Sequence, residues 1–292
     1  MVKVGLRDSF AVSSVALRGA MALALVTIGV SGCGNDEGAD SADSGVGVQD
    51  AGPSIDAAPV NNDADAGADA DAGAAVCSAT TQDLRVHYEF DETTGTAASD
   101  SSGTGNDGTL EGDPSWVPGT SGNGLSFTDV DHRVTVAPGA SIDNLLNMTV
   151  CAWVYPRAYE DFIGAVLDKS RNGLGGGWTF FLEDNQTFGL MTNDGDWASS
   201  GPTMLLGWQH ICASWDGSTG TDGVLLYYNG VEAIASDTGK EHGGRHSDAS
   251  RNLSVGLVND GAFPLDGVID DVRLYARPLT AAEVLSIYEC GL

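Results

Sequence analysis

Asp168, Asn259, Asp260 and Asp266 are the residues of this chain best suited to hold a cation. Calcium takes six to eight oxygens, drawn from carboxylates, amides and backbone carbonyls of several loops, and these side chains are expected to meet at one sheet edge. A second acidic group, Asp91 and Asp100 with Asp270 or Asp271, requires the first and last strands to be neighbours. The same acids lie in DSSG and NDG strings, which form tight turns with or without a metal. Aromatic rings beside hydrogen-bonding groups are the other chemical signature, because a ring offers an apolar face to a ligand. Trp197 sits in the polar string NDGDWASSG, where a core role is hard to assign, and Tyr159 and Phe162 sit in RAYEDFIG. Trp153, Trp208 and Trp215 fall on apolar strings and are assigned to the core. Groupings for covalent catalysis are not recognisable. His242 and His246 lie in the glycine-broken KEHGGRHSD, not on a helix that would turn both toward zinc. Glu183-Asp184 has no carboxylate partner at useful spacing, and no Ser-His-Asp or Cys-His arrangement stands out. A non-enzymatic binding role is expected.

The elements that must position these residues read as β. Met148–Tyr155 and Gln209–Trp215 alternate around a central cysteine, and Leu84–Phe90 alternates apolar with polar. Further strands are expected at Gly124–Phe127, Arg133–Val136, Ile163–Leu167, Trp178–Leu182, Thr187–Met191, Val224–Tyr228, Val231–Ser236, Leu253–Leu257 and Val268–Tyr275. Asn229-Gly230 accepts the positive φ angles of a type I′ turn and joins two of them in a hairpin. Asp91–Gly112 is expected to be loops with short edge strands. One helix closes the chain: Thr280 and Glu283 form a capping box, with Val284, Leu285 and Tyr288 as its apolar stripe. Forty glycines and many closely spaced strands favour an all-β, two-sheet antiparallel sandwich with one short C-terminal helix.

Residues 1–32 combine Lys3, Arg7 and Arg18 with an apolar centre too short for a comfortable membrane span, the pattern of an export signal. Val30-Ser31-Gly32-Cys33 resembles the lipobox of bacterial lipoproteins, which implies lipid attachment at Cys33 and anchoring at an outer membrane or cell surface. Residues 33–76 contain ten acids and no base or aromatic residue, so they lack the apolar surface needed to offset the entropy of ordering. A flexible chain of that length reaches roughly 35 Å, and repulsion extends it. Residues 77–292 form the single folded unit, with thirty acids against ten bases, a net charge of −20. That balance argues against nucleic acid and anionic lipid headgroups as partners. With Cys33 lipidated, four cysteines remain in an oxidising compartment, and three connectivities are open. Domain termini often lie close together, which pairs Cys77 with Cys290 and Cys151 with Cys212.

Taken in order, HYEFDETTGTAASDSSGTGNDGTLEG, GNGLSFTDVDHRVTV, TVCAWVYP, WQHICASWDG with LLYYNGVE, and DGVIDDVRLYARPLTAAEVLSIY resemble the LamG-like jelly-roll family. That family lies within the concanavalin A-like lectin and glucanase superfamily. The two cysteine strands resemble the disulfide-bonded pair of pentraxins, which implies the bridge Cys151–Cys212 specifically. The resemblance implies a jelly roll that binds a glycan or an extracellular protein, often with calcium. A pentraxin-type double calcium site is not expected: Asp168–Asn172 matches its first loop only loosely, and the acidic run after the second strand is reduced. The glutamates that the superfamily's glucanases carry are missing from Val268–Arg273. Two other roles follow from the same residues: a polysaccharide hydrolase or lyase at the concave face, and a structural envelope protein without a small ligand.

Overall fold

The computed structural model describes residues 78–158, 163–170, 176–192, 196–201, 203, 205–218, 223–235, 237–239 and 247–291. The expected signal, acidic linker, Cys33, Cys77, Tyr159, Phe162, His242 and His246 lie outside the described residues. The strands, in chain order, are β1 (Leu84–Tyr88), β2 (Ala97–Ala98), β3 (Gly108–Glu111), β4 (Ser115–Pro118), β5 (Asn123–Phe127), β6 (Arg133–Val136) and β7 (Met148–Pro156). They continue as β8 (Ile163–Asp168), β9 (Trp178–Glu183), β10 (Phe188–Thr192), β11 (Asp196–Ser200) and β12 (Gln209–Trp215). β13 (Val224–Tyr228), β14 (Val231–Ala233), β15 (Asp237–Gly239), β16 (Leu253–Val255) and β17 (Gly267–Tyr275) complete the set, followed by α1 (Ala281–Cys290).

All pairings are antiparallel. One sheet has eight strands in the order β14-β13-β12-β7-β17-β5-β4, with β1 also on β17; the other has nine, β15-β11-β10-β9-β8-β16-β6-β3-β2. Alternation explains how they face each other. Val150, Ala152 and Val154 of β7 join Phe180, Leu182, Phe188 and Leu190 of the opposite sheet in one buried core. The intervening residues of β7 are buried as well, on the other side, where Cys151 and Cys212 pack under Val284 and Ile287 of α1. The strand is thus enclosed on both faces, as its unbroken apolar sequence requires. Asn229 and Gly230 turn at φ 49° and 78°, closing the expected hairpin between β13 and β14.

The capping box at α1 is present: the Thr280 hydroxyl accepts from Glu283 N–H while the Glu283 carboxylate receives Thr280 N–H. Glu283 also binds Arg277, whose hydrogen bonds pull its carboxyl down to about 2. The buried stripe differs from expectation. Val284 and Ile287 point inward, Tyr288 stacks on Trp153 at 5.4 Å, and Leu285 faces solvent. Ile287 falls three residues after Val284, so the helix meets the sheet one position round from the expected face.

His210 on β12 is fully enclosed between Trp153 and Tyr288, with ring centroids at 5.4 and 5.9 Å. Burial pushes its ring down to about 4. An unfolded histidine titrates near about 6.5. Below that pH the unfolded chain binds a proton that the folded chain refuses, so the stability present above about 6.5 is lost as pH falls toward about 4. The accumulated loss is about 3 kcal/mol. Urea unfolding at pH 7 and pH 4.5 is expected to show this drop in the native protein and a clearly shallower one in His210→Gln.

Candidate functional site

The two outer faces of the sandwich are not equivalent. The outer face of the eight-stranded sheet is occupied by α1, which packs over Cys151, Cys212, Tyr227 and Tyr275. The outer face of the nine-stranded sheet instead carries an aromatic cluster and a polar groove.

The aromatic cluster is built by register. Met191 of β10 lies opposite Thr179 of β9 and Trp197 of β11, so all three side chains emerge on the side away from the core. Phe181 shares that side, and Trp197 and Phe263 pack against the Phe181–Met191 pair. Trp197 was expected in a polar loop; it belongs to strand β11, half-buried on this outer face. Its indole packs against Gly239 of β15, its partner across the strands: a Cβ there would stand 1.8 Å from Trp197 Nε1.

The groove encloses about 590 Å³ and is lined by Glu111, Asp131, Arg133, Asn259 and Asp260, with Val130 exposed beside them. Glu111 and Arg133 stand opposite each other on β3 and β6 and form an ion pair at 2.6 Å. Burial raises the Glu111 carboxyl, but hydrogen bonds from Thr135 and Arg133 outweigh it and hold the group below the usual carboxylate range. The turn after β16 links groove and cluster, since Asn259 and Asp260 line the first and Phe263 packs into the second.

Of the four expected calcium ligands, Asp168 and Asn259 are in direct contact. Asp168, fully buried at the end of β8, accepts from Thr179 Oγ1 at 2.7 Å and from Asn259 N and Nδ2 at 3.0 and 2.8 Å. Burial raises its carboxyl above the ordinary value despite these bonds. Asp260, in the same turn, is exposed and accepts from Ala262 N–H, while Asp266 is engaged by Arg157 at 2.8 Å. As arranged, the Asp168 oxygens face hydrogen-bond donors that a cation would have to displace, so the residues do not fit a calcium ion. Asp129, Asp131 and His132 bring ligand atoms within 4.8 Å of one another. Here His132 Nδ1 accepts Thr128 N–H at 3.1 Å, which leaves the ring proton on Nε2 and neither nitrogen bare.

The second acidic group is partly assembled on the other sheet. β17 pairs with β5 through Gly267–Ile269 and with β1 through Val272–Tyr275, and between them a bulge places Asp271 at φ 44°. Asp91, Asp270 and Asp271 line a cavity of about 300 Å³ at this junction. Asp100 does not; it accepts from the N–H groups of His87, Ser102 and Asn106 and organises the turn around itself.

A Ser-His-Asp line, unrecognised in the sequence, runs past this junction. His87 Nε2 lies 2.7 Å from Asp271 Oδ1, and Nδ1 lies 2.8 Å from Ser101 Oγ. The adjacency of β1 and β17 creates it, joining residues 184 positions apart, and no short motif could reveal it. Acyl transfer also needs N–H donors aimed at the developing oxyanion. Ser101 N–H is given to His87 O and Ser102 N–H to Asp100, while Glu89 places a carboxylate 3.3 Å from the serine hydroxyl. The line ties the first strand to the last.

The fold is a two-sheet antiparallel jelly roll with α1 packed on the outer face of the eight-stranded sheet. A family profile for the concanavalin A-like lectin/glucanase superfamily matches residues 128–285. The chain belongs to that superfamily. No curated protein sequence matches. Among solved structures, the binding domain of Paraclostridial Mosquitocidal Protein 1 is 17% identical, with a TM-score of 0.55 over 71% of this chain and 52% of that one. Domain 4 of AbnA, an extracellular arabinanase from Geobacillus stearothermophilus in complex with arabinotriose, is 22% identical, with a TM-score of 0.53 over 70% and 98%. A botulinum neurotoxin type C structure, described as dependent on two ganglioside molecules for cell entry, is 14% identical, with a TM-score of 0.52 over 72% and 51%. The chain spans about half the length of the two toxin structures.

Proposed function

We propose that this protein is an exported, lipid-anchored binding protein that holds a glycan on the outer face of its nine-stranded sheet, without turning it over. The observation that carries this reading is Trp197. It is a half-buried indole on the outward side of the nine-stranded sheet, outside the main core, in a sheet whose β3 and β6 end carries a polar groove. Such a ring presents a flat apolar face, and the carboxylates and amide of the groove accept sugar hydroxyls. The arabinotriose and ganglioside named for the similar structures support sugar as the ligand class. The spent amides around Ser101 support binding without chemistry.

A glycan array run with calcium and with chelator is expected to give the same binding in both. Trp197→Ala is expected to weaken the best ligand at least tenfold, about 1.4 kcal/mol or more. Gly239→Ala leaves the indole present but displaces it, and is expected to weaken binding by a similar factor. Unchanged affinity in both variants would remove this face from the binding site, and release of shortened oligosaccharides would replace binding by catalysis.

A further inference from the structure

The charge layout of the groove goes further and, resting on the glycan reading above, names the class of glycan. Arg133 is the single cation among the described residues that line it. Its charge is already paired: Nε and Nη2 both reach Glu111 Oε2, at 2.7 and 2.6 Å, while Glu111 Oε1 takes the Thr135 hydroxyl at 2.8 Å. Floor and charge are therefore neutralised within the protein itself. Asp131 and Asp260 line it from adjacent turns, the one before β6 and the one after β16. Each adds a negative charge, and the groove as a whole carries −2.

We infer that this groove selects neutral oligosaccharides and rejects those bearing carboxylates. A neutral sugar presents hydroxyl donors, which the Asp131 and Asp260 carboxylates accept in charge-assisted hydrogen bonds. Asn259 spends its amide N–H groups on Asp168 and the Asn252 carbonyl, which turns its carbonyl oxygen into a further acceptor. Val130, two-thirds exposed, offers an apolar contact for the C–H face of a ring. A uronate or sialate placed there meets the unpaired charges of Asp131 and Asp260, and the guanidinium charge of Arg133 is already paired with Glu111. The net charge of −20 on residues 77–292 adds a longer-range repulsion.

The test uses residues 33–292 and a matched panel of neutral pentose and hexose oligosaccharides, uronate-containing oligosaccharides and sialylated oligosaccharides. Titration calorimetry at about 20 mM and about 500 mM salt is expected to show neutral ligands at least tenfold tighter at low salt, the gap closing as salt screens the groove. Asp131→Asn with Asp260→Asn is expected to reduce the neutral-to-acidic preference at least threefold while thermal unfolding stays unchanged. Acidic ligands binding as well as neutral ones, or a preference that survives the double substitution, would overturn the inference and leave the glycan reading in place. Silence across the whole panel would instead sink the glycan reading, and the inference with it.

Discussion

Replacing Lys169 by methionine is expected to lower the unfolding free energy by about 3–5 kcal/mol, the usual cost of stranding one partner of a buried ion pair. Lys169 is completely enclosed just after β8. Its ammonium lies 2.9 Å from Asp143 Oδ1, and it donates to the carbonyls of Arg251 at 2.7 Å and Asp248 at 3.4 Å. Those contacts clamp together the segments around 143 and 250, which also exchange Asn144 N–H to Asp248 Oδ1 and Asp248 N–H to Asn144 Oδ1. Methionine keeps most of the volume, so the loss reports charge and hydrogen bonding in place of cavity formation. A urea midpoint corresponding to less than about 1 kcal/mol of loss would show that water reaches the site. Adding Asp143→Leu to Lys169→Met is expected to restore part of the stability, since it removes the stranded carboxylate.

Removing the bridge between Cys151 and Cys212 is the other large effect. The two half-cystines face each other directly on β7 and β12 and close a loop of 61 residues. Releasing that constraint on the unfolded chain costs about 4 kcal/mol by loop entropy. A Cys151→Ala, Cys212→Ala double variant is expected to show this loss in guanidinium unfolding under oxidising conditions. When both proteins are unfolded and refolded in reductant, their midpoints are expected to coincide; a persisting gap would assign the effect to packing. Cys290 is disulfide-bonded as well, and Cys77, its expected partner, lies outside the described residues.

The well-populated strands were legible because their periodicity and their function in the core coincide. β6, β12 and β13 match the expected spans residue for residue, and β7 differs only by including Pro156. Both-sided burial of β7 could be read from its unbroken apolar run, although the side taken by Cys151 could not. Three strands were hidden for physical reasons. β4 (SWVP), β11 (DWASS) and β15 (DTG) are short or rich in Asp, Ser and Gly, residues with weak strand preference, and they exist because a neighbouring strand supplies their hydrogen bonds. Misreading β11 as loop is also why Trp197 was placed on the wrong kind of element. The groove was half legible: Asn259 and Asp260 were singled out, whereas Glu111, Asp131 and Arg133 were not. Their significance depends on β3, β6 and the turn after β16 converging, which no local spacing encodes.

The covered face of the eight-stranded sheet also sets which way the molecule looks. Ser286 Oγ reaches the Ser78 carbonyl, and both Tyr275 and Arg277 bind Thr80, so the first described residues run alongside α1. Ser78, the first described residue, lies on the helix side of the sandwich, across from the sheet face that carries Trp197. Both described ends of the fold, Ser78 and Gly291, thus share one side of the molecule as a coin's edge marks share its reverse, and Trp197 is stamped on the obverse.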